Sequence, residues 1–457
     1  MRSLAAAVAI LALAASVGPA LGAPVIDSRQ PATVTGEGAG PQLSAEAAIL
    51  IDVGTGQVLH ESGADLPREP ASLTKLMTAL LTAEAGDLDR MVTVSKRAAE
   101  TGEASAQLEA GDQLRLRDLL AAALVQSAND ASVALAEAVA GSEPAFVARM
   151  NARARELGLR HTHFANPHGL PAAGHLSSAR DLATIAREAL DHEDVRRTVA
   201  LERARFSIRR PKAKEPLTRE VLTTNRLLRH GHPEHWDRAD GVKTGYTRAA
   251  GRCLCASATQ DGWQLLAVVL GCDDCWADGR ALLSWGFEHF RRVEVVTADV
   301  TAVDVHIVNG RAPRARAVAR SSIDLVLPLA QPLPTPRVSE AYTEAPITRG
   351  DEVGEMVVGR LDGTQVSATL VAVEDVPRSL AAKLGDHAGA LALSVLALAV
   401  IGAVLVNGAV AAASGARRRR IAAKVRRARE EREGDGQPQP GSAPGAEGRP
   451  DSRSGAA

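Results

Sequence analysis

The sequence predicts an α+β fold, an antiparallel sheet packed with helices, followed by a small all-β module and one C-terminal apolar helix. Three observations carry this reading: a strand pair at 48–60, a block of helical periodicity from 71 to 190, and a second strand pair at 253–270. That order suits strands gathered into one sheet with helices against it and argues against a parallel wound fold. With 457 residues the chain exceeds ordinary single-domain size, so a large domain, a smaller module and a non-globular tail are all expected. The formal net charge is -1, and no long basic run occurs before residue 415, so the folded part offers no electrostatic footprint for nucleic acid.

In chain order, residues 1–23 combine Arg2, an apolar run from Leu4 to Ala15 and small residues at Ala20 and Gly22, the pattern of a secretory signal. Residues 24–44 are rich in Gly, Pro, Ala and Thr without periodicity and read as a linker. The large domain is expected over 45–293. It opens with the apolar run 48–53, the turn Gly54-Thr55-Gly56 and the segment 57–60, which form a hairpin pattern. Helices are expected at 71–85, 117–125, 129–140, 143–157 with Gly158 as a stop, and 178–190 with Ser178 as the N-terminal cap. Strands return at 253–258 and 265–270 around the turn at 260–263.

From Val295 the texture changes to short alternating segments at 303–307, 323–327, 356–358 and 366–370, punctuated by Pro332, Pro334 and Pro336, which predicts a small β domain over 295–378. An apolar run from Ala388 to Ala413 is long enough to cross a bilayer as a helix. Arg417, Arg418, Arg419 and Arg420 follow at once. Because cytoplasmic flanks carry the Lys/Arg excess, the expected topology is a single-pass membrane protein with residues 24–387 outside and a basic, then disordered, tail over 414–457 inside. Four clustered cysteines, Cys253, Cys255, Cys272 and Cys275, suggest one or two disulfides in an oxidising compartment, with a zinc site ranked lower. The loop bearing His230, His232, Glu234 and His235 reads as solvated, and no metal or other cofactor is required.

Three short motifs carry chemistry. Ser72-Leu73-Thr74-Lys75 opens a helix, and i to i+3 spacing sets an amine beside a hydroxyl, so a weak nucleophile gains a neighbour able to take its proton if burial or nearby positive charge lowers the lysine pKa. Ser127-Ala128-Asn129 interrupts the apolar stretch 119–139. Either Asn129 or Asp130 caps the second helix, or Ser127 relays a proton and Asn129 contacts a substrate amide, and both can hold together. Lys243-Thr244-Gly245 precedes a strand, where Gly245 leaves room for a substrate backbone, Thr244 can bond a carboxylate and Lys243 supplies positive charge. Each motif alone is weak; the ordered set, with Ser127 55 residues after Ser72 and Lys243 116 residues after Ser127, is specific.

In this set the sequence resembles the low-molecular-mass penicillin-binding proteins, the serine D-alanyl-D-alanine carboxypeptidase family. The likeness runs from about Ala47 to Val293 and includes Ala165-Asn-Pro-His-Gly-Leu170, the stretch 175–183 and Asp240-Gly-Val-Lys-Thr-Gly-Tyr-Thr247. The segment Ala345-Pro-Ile-Thr-Arg-Gly-Asp351 is similar to that family's C-terminal domain. The resemblance implies a serine β-lactamase/penicillin-binding transpeptidase-like domain in which Ser72 is acylated, Lys75 takes its proton, and Ser127 with Lys243 returns a proton to the leaving amine. It also implies an oxyanion hole from the Ser72 and Tyr246 N–H groups, with Asn129, Lys243, Thr244, Gly245 and Tyr246 lining the substrate site. Implied partners are peptidoglycan stem peptides ending in D-Ala-D-Ala, β-lactam antibiotics and the membrane, without nucleic acid.

Two departures stand out. Tyr246 occupies a position where many relatives have His. The family's carboxylate-binding Arg falls on Thr224 if Leu227-Leu228 is aligned and on Arg226 if Asn225 is aligned, with Arg248 a third candidate. The segment 161–170 has no Glu to activate a deacylating water, which disfavours a β-lactamase. The alternatives that remain are an endopeptidase of D-Ala crosslinks and a silent, membrane-tethered wall-binding scaffold.

Overall fold

The computed structural model describes residues 40–339, 343–360 and 363–432. The expected signal segment, most of the linker and the tail beyond 432 lie outside these residues. The chain divides into two compact units, one made of the described parts of Met1–Val305, Arg316–Tyr342 and Arg349–Glu374, the other of His306–Ala315, Thr343–Thr348 and Asp375–Ala457.

The first unit opens with β1 (Ala47–Asp52) and β2 (Val58–Ser62), then a 3₁₀ turn at Ala71–Thr74 leading into α1 (Lys75–Ala85). Next come β3 (Met91–Thr93), α2 (Lys96–Ala99), β4 (Gln113–Arg115), α3 (Leu116–Val125), α4 (Asn129–Ala140) and α5 (Glu143–Glu156). After them follow α6 (Ala179–Asp191), α7 (Glu193–Val199) and the hairpin β5 (Arg203–Ile208) and β6 (Leu217–Leu222). The sheet is completed by β7 (Ala239–Thr247), β8 (Gly251–Gln260) and β9 (Trp263–Cys272), and α8 (Cys275–His289) closes this part. Strand order is β2-β1-β9-β8-β7, and the four pairings are antiparallel.

The sheet has a core on each face, which explains why its strands read as continuous apolar runs. Ala47, Ile49 and Ile51 of β1 join the core formed with α1 and α3 to α7, whereas Ala48 and Leu50 point to the core under α8. β9 alternates in the same way, with Leu266, Val268 and Leu270 on one side and Leu265, Ala267 and Val269 on the other. Two glycines hide α8 from a reading of propensity, since each costs about 1 kcal/mol in a helix interior. The structure shows why Gly286 stands there: a Cβ would lie 2.6 Å from Leu265 and 2.7 Å from Leu50, so the helix could not approach the sheet this closely.

β10 (Phe290–Val296) pairs antiparallel with β13 (Ile323–Pro328). The remaining strands are β11 (Ala302–Val308), β12 (Arg314–Ala319), β14 (Arg337–Val338), β15 (Thr343–Glu344), β16 (Glu352–Gly359) and β17 (Gln365–Ala372). Within the first unit β14, β16, β17 and β12 are consecutive neighbours. In the second unit Ile307 and Val308 pair in parallel with Thr343 and Glu344. That unit ends in α9 (Leu380–Arg432), whose described side chains are almost all exposed. α9 is long and apolar enough to cross a membrane by length and composition, and its expected span, 388–413, covers about 39 Å at about 1.5 Å per residue.

The helix start at α4 differs from the capping expectation. Ala128 holds the cap position without a side-chain bond. The fully buried Asp130 carboxylate instead accepts from its neighbour Ala131 N–H and from three donors of the 105–108 segment: Ser105 Oγ at 2.7 Å, Ala106 N–H at 3.0 Å and Leu108 N–H at 3.1 Å. This fixes that segment over the start of α4. Asp130→Ala strands three buried N–H groups and is expected to lower stability in urea unfolding by roughly 3 kcal/mol, with Asp130→Asn losing less. A change under about 0.5 kcal/mol, the range of neutral surface substitutions, would show that the carboxylate is dispensable.

Candidate active site

Ser72 lies in the 3₁₀ turn, not inside the α-helix that the spacing predicts, and Lys75 is the first residue of α1. In 3₁₀ geometry residues i and i+3 eclipse, so the turn stacks the lysine over the serine more directly than an α-helix would. Lys75 Nζ sits 3.0 Å from Ser72 Oγ, 2.8 Å from Asn129 Oδ1 and 2.7 Å from the His168 carbonyl oxygen. Lys75 is wholly buried, while Ser72 is half-buried and open to the cleft.

Burial, with the charge of Lys243 as the second cause, holds the Lys75 amine well below the usual lysine range, against the opposing pull of Asp130 and Glu103. A neutral amine has two N–H donors and one lone pair. The His168 carbonyl can only accept, and Asn129 presents its oxygen because its Nδ2 donates to Gly102 O at 3.1 Å. Both N–H groups are therefore taken. In the neutral form the remaining lone pair is available to the Ser72 O–H, 3.0 Å away.

Ser127 occupies the bend between α3 and α4 with φ 67, a left-handed backbone that turns the chain between helices. It is buried beside Asn129 in sequence but is not among the hydrogen-bond partners of Lys75. Lys243 is on β7, also buried, and burial pulls its amine down to about 7. Its Nζ donates to the Thr244 carbonyl at 3.0 Å. The motif lies within edge strand β7 and does not precede a strand, a difference that follows from β7 beginning at Ala239.

Gly245 faces the protein's own backbone. A Cβ there would come within 3.2 Å of Ala71 Cβ and 3.3 Å of Pro70 O and Ser72 N, tight enough that β7 or the Ser72 turn would have to give by a few tenths of an ångström. Tyr246 is 68% exposed. The three carboxylate candidates separate clearly. Thr224 Oγ1 is 2.6 Å from Thr244 Oγ1, the Arg226 guanidinium lies 5.6 Å over the Trp276 ring, and Arg248 is exposed in the turn after β7.

The loop 163–177 holds residues to which the motifs gave no role. It supplies the His168 carbonyl to Lys75 and the Pro167 carbonyl to Thr78 Oγ1 at 2.6 Å. Gly169, at φ 93, packs so tightly that a Cβ would lie 1.8 Å from the Ala71 carbonyl oxygen. The sequence signal was present in Pro167-His168-Gly169, a turn pattern inside the family-like segment, but a main-chain acceptor leaves no side-chain trace.

All four cysteines are free thiols, contrary to the disulfide expectation. The sheet parts them, with Cys253 and Cys255 in the core on one face and Cys272 and Cys275 in the core under α8. Burial pushes each thiol up, Cys253 to about 11 and Cys275 to about 12. Among the described residues no group of three or more His, Cys, Asp or Glu side chains is placed to hold a metal ion.

Comparison with known proteins agrees with this geometry. The profile of the D-alanyl-D-alanine carboxypeptidase family, peptidase S11, matches residues 33–274. The D-alanyl-D-alanine carboxypeptidase DacC of Escherichia coli K12 is 36% identical over 337 residues, 70% of this chain and 80% of that protein. DacF of Bacillus subtilis 168 is 31% identical over 353 residues, 73% of this chain and 86% of that protein. Penicillin binding protein 5 of Haemophilus influenzae superposes with a TM-score of 0.60 at 29% identity, covering 75% of this chain and all of that one. These matches span the large domain and extend beyond it. The chain belongs to the peptidase S11 family of serine D-alanyl-D-alanine carboxypeptidases.

Proposed function

We propose that this protein removes the terminal D-alanine from peptidoglycan stem peptides through an acyl-enzyme on Ser72, and that β-lactams acylate the same hydroxyl. The observation that carries the reading is the placement of Lys75, whose Nζ lies 3.0 Å from Ser72 Oγ while the Asn129 and His168 oxygens hold it at 2.8 and 2.7 Å. Ser72 Oγ attacks the carbonyl carbon between the two D-alanines as its proton passes to Lys75 Nζ. Negative charge on the carbonyl oxygen is met by the N–H groups of Ser72 and Tyr246, worth a few kcal/mol per donor in comparable sites. The C–N bond then breaks, and the departing amine takes a proton by way of Ser127 and Lys243. Water hydrolyses the ester and returns Ser72.

Substrate placement follows from the same groups. Asn129 Nδ2 and the open edge of β7 at Gly245 offer hydrogen bonds to the stem-peptide backbone. Thr244 and Thr224 hold the terminal carboxylate, and Lys243 contributes its positive charge. In this reading the catalytic domain runs over 45–293 and the β module over 295–378. The span at 388–413 with Arg417 to Arg420 behind it orients the C-terminal tail to the cytoplasm and the catalytic domain to the opposite side.

A second reading has one observation behind it. The D-alanyl-D-alanine endopeptidase of Escherichia coli K12 is 29% identical over 252 residues, 54% of this chain, so the same site on a crosslinked substrate is chemically accessible. The carboxypeptidase relatives match over longer stretches, which favours the first reading.

Purified protein is expected to bind fluorescent penicillin covalently, to lose that label in Ser72→Ala, and to release D-alanine from a pentapeptide ending in D-Ala-D-Ala faster than it cleaves a crosslinked dimer. Faster cleavage of the dimer would transfer the assignment to the endopeptidase, and no labelling of the wild type would defeat both readings. The pH dependence is a separate test. The Lys243 amine, pulled down to about 7 by burial, loses its charge as pH rises, so kcat/KM is expected to decline on the alkaline side. Because a guanidinium keeps its proton, Lys243→Arg, even if slower throughout, should carry that decline to higher pH. An alkaline limb that stays put in the variant rules out Lys243 as its source.

A further inference from the structure

The residue before the nucleophile is strained. Ala71 has φ 45, a left-handed conformation that an alanine adopts only when its surroundings impose it. The imposing contacts form a directed relay. His175 Nδ1 accepts the Ala165 N–H at 3.0 Å, which leaves the proton of the neutral ring on Nε2. Nε2–H donates to Thr74 Oγ1 at 2.8 Å, and the Thr74 hydroxyl donates to the Ala71 carbonyl oxygen at 2.8 Å. Thr74 is fully buried and His175 is 2% exposed, so no water competes for these bonds. Burial holds the ring down at about 4, and the neutral form that the relay needs persists at neutral pH. Gly169 meets the same carbonyl oxygen closely enough to exclude any side chain.

We propose that His175 is a positioning residue for acylation: through Thr74 it holds the Ala71 carbonyl and with it the strained backbone that presents the hydroxyl and N–H of Ser72 to the acyl carbon. It touches no reacting atom. The inference rests on Ser72 being the residue acylated, and it adds a component that the three motifs do not contain. A placement error of an ångström at a nucleophile can cost about 100-fold in rate, which is the scale on which this relay acts.

Two amide substitutions separate the halves of the relay. In His175→Gln the amide nitrogen can reach the place of Nε2, keeping the donor to Thr74 and losing the acceptor for Ala165. In His175→Asn the amide oxygen stands near Nδ1, keeping the tie to Ala165 and losing the donor to Thr74. Acylation rate constants with fluorescent penicillin and thermal midpoints are measured for both, together with Thr74→Ser and Thr74→Val. The expected result is acylation about 10- to 100-fold slower in His175→Asn and Thr74→Val, and within about threefold of wild type in His175→Gln and Thr74→Ser, with no matching order in thermal midpoint. Equal slowing of the two His175 variants, or rates that simply follow the midpoints, would make His175 a loop tether and overturn the proposal. Persistent labelling in Ser72→Ala would overturn the underlying assignment instead, whatever the His175 variants do.

Discussion

A wholly buried ammonium is expensive, and this fold holds the Lys75 amine well below the usual lysine range. The desolvation of an ammonium at 0% exposure exceeds what nearby Asp130 and Glu103 return, and the Lys243 charge pushes in the same direction. Three separate segments then converge on one nitrogen: the turn that carries Ser72, the start of α4 that carries Asn129, and the loop that lends the His168 carbonyl. Much of the surrounding architecture serves that convergence, including the Asp130 carboxylate that pins the 105–108 segment and the Gly102 carbonyl that fixes which way Asn129 faces.

The second constraint is closeness. Gly245 lets β7 lie against the nucleophile turn, and Gly169 lets the 163–177 loop abut the Ala71 carbonyl from another direction. A side chain at Gly169 would displace the backbone before Ser72 directly, because the two nearest atoms in its way are main-chain atoms with no rotamer to change, whereas at Gly245 it would crowd Ala71, Pro70 and Ser72 by a few tenths of an ångström. The sheet behind this region is covered on both faces, so β7 has little freedom to retreat. A site with two buried amines and a left-handed alanine is locally unstable, and a rigid two-sided core is what holds such strain in place.

What the sequence made legible follows from which atoms do the work. Ser72, Lys75, Asn129 and Lys243 act through side chains at fixed spacings, so their motifs survived translation into residue types. The helices over 129–140 and 179–191 were equally readable, the first from its apolar face and the second because Ser178 accepts from Asp181 N–H as a cap should. The His168 carbonyl, the Ala71 conformation and the close approach at Gly169 are main-chain events and left little pattern. The hairpin of β5 and β6 and helix α8 escaped for other reasons. The hairpin alternates with charged residues on its exposed face, as in Arg203 and Arg205, and resembles a polar loop, while α8 carries Gly279 and Gly286 to fit its sheet. The cysteines misled because spacing says nothing about faces: residues 253 and 255 share one side of the sheet, and residues 272 and 275 lie on the other.

In the proposed reading the threonine pair offers hydroxyl donors to the substrate carboxylate. Arg226 is withdrawn over Trp276, so the position beside Thr244 falls to Thr224. Two hydroxyls 2.6 Å apart share one hydrogen, since one must donate to the other, and the acceptor of that bond keeps its own O–H free. An arriving carboxylate can take the free donor first and then, by rotation of the partner hydroxyl, the second. Directional bonds are thus available without a permanent charge at the rim. In the proposed reading the positive charge comes from Lys243, whose field, after burial, lowers the Lys75 pKa, so that one buried amine would serve both substrate recognition and base strength.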